Sequence, residues 1–530
     1  MKSISLAPLL LASFPSSNRS APVGTRAFSH HLNRKSFQKQ LHFHSHSHSV
    51  VFSSQSRSAT LSVMPEEEEK NQLFDGEKAA LLVKDLRRTF DTGKTKSYDW
   101  RISQLKGIAK MLEEKEKDII EALYKDLSKP GFEAFISEVS QARSSCNEAL
   151  KELNNWMKPE KVKTSITTYP SSAEIVSEPL GVVLVISTWN FPFLLSIDPV
   201  IGAISAGNTV VLKPSEIAPA TSSLLAKLLK DYLDNSAVRV VEGAVPETTA
   251  LLEQKWDKIL YTGSARVGRV VMAAAAKHLT PVILELGGKC PAVVDSDVNL
   301  EVTARRIIAG KWACNNGQAC ISVDYIITKK EFAPTLINAL KDELEQFFGR
   351  DLMKSKDMSR IVSPSHFARL VKLLDEDQVS DKIVFGGQRD ENQLRISPTI
   401  LLDVPEDSTV MQEEIFGPIL PIITNQGSSA EERLCAEHIF GGMLINDTII
   451  HVATPGLPFG GVEESGMGSY HGKFSFDGFS HKKSVLYRGF AVDSDLRYPP
   501  YTPEKEKLFK TLTSGNILRI ILTLIGLFKE

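Results

Sequence analysis

A chain of 530 residues, 42% of them hydrophobic and 24% charged, is long enough to bury two or three cores, and five cysteines are too few for a disulfide-dense secreted scaffold. Residues 1–65 hold seven Lys or Arg and no Asp or Glu, which leaves 55 basic against 64 acidic residues beyond them, a net charge of about −9. Such a body gives no electrostatic reason to expect a nucleic-acid partner.

In chain order, the acid-free, serine-rich leader ends abruptly at PEEEEK and has the composition of an organelle transit peptide. A plastid address ranks ahead of a mitochondrial one. The short apolar run SLAPLLLASF suits a secretory signal, but its long basic and hydroxylated continuation does not. The tract HFHSHSHS, residues 42–49, carries metal-binding side chains yet belongs to the discarded leader.

From Gly181 the pattern alternates. GVVLVIST is a continuous apolar run of strand length, followed by a helix-length segment through Ala206 and a second run, TVVLKPS. Ile217, Ala220, Leu224, Leu225, Leu228 and Tyr232 then recur at helical spacing, and VRVVEG, the segment from Pro246, KILYTGS, RVGRVVMAAAAKH and TPVILELGG continue the series. Short strands apolar on both sides and separated by helices predict a parallel sheet covered on both faces, a doubly wound α/β domain with its ligand at the carboxyl ends of the strands. STWNFP, KPSE and GSARVG follow three of those ends. A glycine turn opening a helix presents free N–H groups to a phosphate, although GSARVG alone reads better as a plain tight turn.

In KWACNNGQACISVDY, residues 311–325, Cys314 and Cys320 are six positions apart, while Cys146, Cys290 and Cys435 are scattered singly. That is not the paired spacing of a zinc site, and so few thiols point to a reducing compartment. A reactive cysteine or two packed ones remain. Farther on, no stretch reaches the eighteen or so apolar residues a membrane span needs. The tail ILRIILTLIGLF, Ile517–Phe528, suits either weak association with a membrane surface or docking on a partner subunit.

STWNFP, VVLKPSE, YTGSARVG, LELGGK, GQACI, EEIFGP and PFGGVEESG, in this order, resemble the NAD(P)-dependent aldehyde dehydrogenases. EPLGVVLVISTWNFPF, LINDT, YHGKFSF and FSHKKSVLYR are similar to family 3, and the leader to its plant chloroplast type. The resemblance runs from about Phe74 to Tyr501. It implies a dinucleotide-binding domain, an α/β catalytic domain and a small oligomerisation element, divided as a transit peptide 1–65, then 70–286, 287–460 and 461–530. It implies oxidation of aliphatic, medium- to long-chain aldehydes, including lipid-peroxidation products, by a homodimer.

By the same resemblance Cys320 is the nucleophile, Asn190 the oxyanion-binding amide and Glu285 the general base. Without it, Asn190 reads as a turn residue and Glu285 as a salt-bridge partner of Lys289. Lys213 and Glu216 match contacts to the adenine ribose, Gly263, Ser264 and Gly268 the pyrophosphate turn, and Glu414 and Phe416 the nicotinamide ribose site. Glu216 favours NAD, with NADP as the alternative, and no metal is implied. Two departures stand out. Glu463 replaces a glycine of the family's GGVGxSG, and Asn425–Phe440 is markedly shorter than the family's segment. The second leaves a rival reading, an inactive nucleotide-binding or dimerising variant with an exposed sheet edge.

Overall fold

The computed structural model describes residues 74–168, 170–425, 439–491 and 493–514. The leader with its histidine tract, residues 426–438 with Cys435, and the apolar tail lie outside the described residues. The described chain opens with α1 (Gly76–Asp91), α2 (Tyr98–Glu114), α3 (Glu116–Leu127), α4 (Gly131–Ala134) and α5 (Ser140–Trp156). Asp75 and Ser97 start α1 and α2 by accepting the N–H groups of Lys78 and Trp100. Between α4 and α5 the helix widens into a π-turn, Phe135–Val139.

After β1 (Glu160–Val162) and β2 (Ser172–Pro179), the predicted alternation follows: β3 (Val182–Ile186), α6 (Leu194–Ala206), β4 (Thr209–Lys213), α7 (Pro219–Tyr232), β5 (Val238–Val240), α8 (Val245–Leu252), β6 (Lys258–Thr262), α9 (Ala265–Ala276) and β7 (Val282–Glu285). Strands β3 to β7 form a parallel sheet in the order β7-β6-β3-β4-β5. Alternate residues of each strand feed opposite cores. Val183, Val185, Val210 and Leu212 pack with Ile108, Leu153, Ile197 and Leu225, whereas Val182, Leu184, Ile186 and Val211 pack with Leu86, Leu251 and Val271. Helices on both faces explain why β3 and β4 read as unbroken apolar runs. Helix α7 starts at Pro219 and not at Ile217, since proline fits the first helical position.

A second sheet follows from β8 (Pro291–Val294), α10 (Leu300–Lys311), β9 (Tyr325–Lys329), α11 (Ala333–Phe348) and α12 (Pro364–Leu374), with β10 (Ile383–Phe385), the hairpin β11 (Arg389–Asp390) and β12 (Arg395–Ile396), β13 (Thr399–Leu402) and β14 (Ile419–Asn425). Its order is β10-β13-β14-β9-β8, parallel except for β10. Finally β15 (Gly466–Met467) runs antiparallel beside β7, and β16 (Ser480–Tyr487) pairs along the whole of β2 to complete a sheet β1-β2-β16. The small element expected at 461–530 thus draws two of its three strands from residues 160–179. This is an α/β architecture of two largely parallel sheets and a small antiparallel one.

Candidate active site

The sheet register brings several predicted residues to one edge. Ile186 is level with Lys213 and with Tyr261, and Thr262 is level with Glu285, so the segments leaving β3, β4, β6 and β7 emerge together. Buried Lys213 donates to Glu216 at 2.8 Å. Ser264 caps α9 by accepting the Val267 N–H, and the first turn of α9 carries no acidic residue, so its positive end is open to an anion. At Gly268 a Cβ would meet the Leu286 side chain at 2.8 Å, and this close approach seats α9 on the exit of β7.

The Cys320 loop follows α10. Asn315, Asn316 and Gly317 take successive left-handed conformations, with φ of 50°, 51° and 79°. Only glycine fits at 317, where a Cβ would stand 2.2 Å from the carbonyl oxygen of Gly417. Asn315 Nδ2 donates to the Asn190 carbonyl at 2.8 Å and to the Gln318 carbonyl at 3.2 Å, while its N–H donates to Glu133. Gln318 in turn donates to the carbonyls of Asn315 and Arg360 and accepts the Val362 N–H. Asn190 Nδ2 donates to the Gln318 carbonyl at 3.1 Å, which uses one of its two hydrogens. The other has no partner among the described residues.

Glu285 ends β7 in a buried position, and its Oε1 has no hydrogen-bond partner among the described residues. Burial pushes its carboxyl well above the usual carboxylate range. The salt bridge to Lys289 that the bare sequence suggested is not made. Lys289 instead binds Asp324 at 2.5 Å and donates to the carbonyls of Val410 and Glu413, and Asp324 also accepts the Ile415 N–H. Asp324 therefore ties the LGGK segment to the loop carrying Glu414.

Glu414 lies so close to the backbone that a Cβ on Gly287 would stand 2.0 Å from its Oε2. Burial raises its carboxyl to about 7, opposed by the Gly288 N–H, and its Oε1 is unpartnered among the described residues. Phe416, at φ 51°, sets its ring edge-on to Trp189 at 5.3 Å, and Trp189 packs on His366 at 4.8 Å. The Cys320 thiol is pushed well up by burial and then by the fields of Glu414, Cys290 and Glu285, which places these groups near one another. Cys290, scattered in sequence, is a neighbour in space: its Sγ donates to the Cys320 carbonyl at 3.2 Å. Cys314 is packed, its thiol pushed up to about 12 by burial.

Sequence reasoning missed Lys129, Glu133, Glu138, Asn315, Gln318, Asp324 and Tyr470. The paired asparagines before Gly317 were a legible turn signal. Tyr470 gave none: it is fully buried, its hydroxyl is unpartnered among the described residues, and it feels Glu285, Asp198 and Cys320.

Residues 66–432 match the sequence profile of the aldehyde dehydrogenase family, and that match stops inside the shortened segment. The chain is 63% identical over 495 residues to "Aldehyde dehydrogenase family 3 member I1, chloroplastic" of Arabidopsis thaliana, covering 89% of this chain and 90% of the relative. It is 43% identical to "Aldehyde dehydrogenase, dimeric NADP-preferring" of Rattus norvegicus, covering 79% and 97%. Among solved structures, a substrate-bound Staphylococcus aureus AldH superposes with a TM-score of 0.77 at 40% identity, covering 81% and 98%. Profile, relatives and fold agree, and the chain belongs to the aldehyde dehydrogenase family, alongside its family 3 members.

Proposed function

We propose that this aldehyde dehydrogenase oxidises aliphatic, medium- to long-chain aldehydes through a thioester on Cys320, using NAD or NADP. What supports this reading is that the Asn190 amide donates to Gln318, in the loop that carries Cys320, that buried Glu285 lies near enough to act on the Cys320 thiol, and that helix α9 has an open N-terminus. Unpartnered polar atoms at Thr262 and Glu414 suit the hydroxyl groups of a nucleotide, so the residues present fit the cofactor. When bound, the cofactor supplies the hydride acceptor.

The protein's own share follows from its groups. A protonated thiol is a poor nucleophile, so Cys320 must lose its proton, and the elevated carboxylate of Glu285 is matched to receive it. The thiolate adds to the aldehyde carbon, and the charge that develops on oxygen is met by Asn190 Nδ2 and the Cys320 N–H. Once the carbon is oxidised to the thioester and Glu285 has passed the thiol's proton to solvent, Glu285 takes a proton from water, the hydroxide adds, and the acid leaves as Cys320 regains its thiolate. The Lys213–Glu216 pair supports use of both cofactors, because Glu216 favours a 2'-hydroxyl while Lys213 tempers its repulsion of a 2'-phosphate.

The leader and the chloroplastic relative support plastid targeting, with the mitochondrion second, and the dimeric rat relative supports a homodimer. Among the described residues no helix is long and apolar enough to cross a membrane. The apolar tail supports weak surface association. The inactive-variant reading rests on the shortened segment alone, and the family membership favours the enzyme.

The test is single-turnover and steady-state NAD(P)H formation with a series of aldehydes. Cys320→Ala should abolish turnover and leave cofactor binding intact. Glu285→Gln should keep the NADH burst and lower steady-state turnover by roughly 10² to 10⁴ fold. An unimpaired Cys320→Ala enzyme refutes the thioester.

A further inference from the structure

The stretch DLSKPGFEAFISEV, residues 126–139, carries no motif, yet it buries four ionisable side chains, Asp126, Lys129, Glu133 and Glu138, of which Lys129 and Glu138 are fully enclosed. Lys129 sits between the left-handed cap residue Ser128 and Pro130, and Glu138 projects from the π-turn. Both side chains are 0% exposed and form an ion pair with each other. Taking two charges out of water is costly unless every donor and acceptor finds a partner, so their other partners are telling.

All of those other partners lie in one short segment. Lys129 Nζ donates to the Asn190 carbonyl at 3.2 Å and lies over the Phe191 ring, 4.1 Å from its centre. Glu138 Oε2 accepts the N–H groups of Phe193 at 2.9 Å and Leu194 at 3.2 Å. Helix α6 has no side-chain cap of its own, so Glu138 caps it from another element. The pair thus grips residues 190, 191, 193 and 194 of the loop between β3 and α6.

We propose that the buried Lys129–Glu138 pair is a positioning device that holds Asn190 so that its free amide hydrogen points at the substrate oxygen. The proposal rests on the reading of Asn190 as the oxyanion-binding amide. Neither residue touches the reacting atoms. The Asn190 carbonyl is fixed from one side by Lys129 and from the other by Asn315 of the Cys320 loop. Amide and nucleophile are therefore set by one network, and releasing the Lys129 side lets the amide drift while Cys320 stays in place. The neighbouring Glu133 accepts the Asn315 N–H and so reaches Asn190 only through Asn315.

The experiment compares Lys129→Met, Glu138→Gln and the double variant K129M/E138Q, each with and without Asn190→Ala. The double variant leaves neither member of the pair without its partner and keeps similar volume, which guards against loss of folding, and Glu133, which loses the Lys129 charge, takes up a proton readily because burial already raises its carboxyl to about 7. The expected result is a burst rate of NADH formation roughly 10 to 100 fold lower in the pair variants, with cofactor affinity changed by less than about two-fold. On the Asn190→Ala background the same changes should slow the burst no further, although their effects on thermal midpoint should still add. A full further loss on that background makes the pair merely structural and overturns the proposal. A normal burst in Asn190→Ala itself overturns the oxyanion role and the proposal with it. The two failures are distinct, because the second appears in Asn190→Ala alone.

Discussion

At Glu285 the physical chemistry fixes the direction of a pH effect. A base acts only when deprotonated, and burial raises this carboxyl, so thioester hydrolysis should weaken as pH falls through a value above the usual carboxylate range. Deacylation rates measured after the burst, when Cys320 is acylated and cannot titrate, should show that acid limb in the wild type and in Glu414→Gln. The limb should vanish in Glu285→Gln; its persistence there would assign it to another group. Glu463 offers a second expectation. It is exposed and held at φ 53°, where a side chain costs roughly 1 to 2 kcal/mol, while glycine gives back about 0.5 to 1 through the freer unfolded chain. Glu463→Gly should therefore stabilise the protein by roughly 0.5 to 1 kcal/mol, read as a thermal midpoint about 1 °C higher. The departure visible in the sequence is thus a point of backbone strain.

At the scale of elements, the described flank that follows residues 426–438 is irregular and open to solvent. Residues 441–448, containing LINDT, form no strand; Arg306 binds the Asn446 carbonyl and Asp447, and Thr448 donates back to the Arg306 carbonyl. Ile439 and Ile445 are 79% and 80% exposed, and β8 ends its sheet without a further partner among the described residues. Apolar side chains left in water forfeit roughly 1.5 to 3 kcal/mol each. A version carrying the longer family segment between Thr424 and Gly441 should melt higher and oxidise aldehydes faster at equal soluble concentration; equal values in both assays would refute this. Elements like β3 and β4 were legible because burial on both faces leaves an unbroken apolar run, and α7 because one buried face repeats at 3.6 residues. The pairing of β16 with β2 was not legible, since most of β16 is exposed and no periodicity marks its partner. The Lys129–Glu138 grip was equally hidden, because a charged residue in a sequence says nothing of burial until the π-turn points it inward. Cys320, Asn190 and Glu285 were readable only through ordered motifs; the strand register places the exits of β3 and β7, which lead to Asn190 and carry Glu285, at the same end of their sheet.

On the scale of the whole molecule, the leader and the body are separable in composition, and the described residues begin at Phe74. A fluorescent protein fused behind residues 1–65 should enter plastids, with processing near Ala59 to Glu66; import into mitochondria alone would overturn the address and leave the enzyme untouched. The β1-β2-β16 sheet has a consequence in time as well as in space. Strand β2 finds its eight-residue partner only about 300 residues later. A chain emerging amino end first must hold β2 open as an unpaired edge until β16 follows, roughly 15 to 60 s at the usual pace of synthesis. Over that interval β2 is a natural seat for a holding chaperone, and a nascent chain stalled before Ser480 would present it as a site for misassembly.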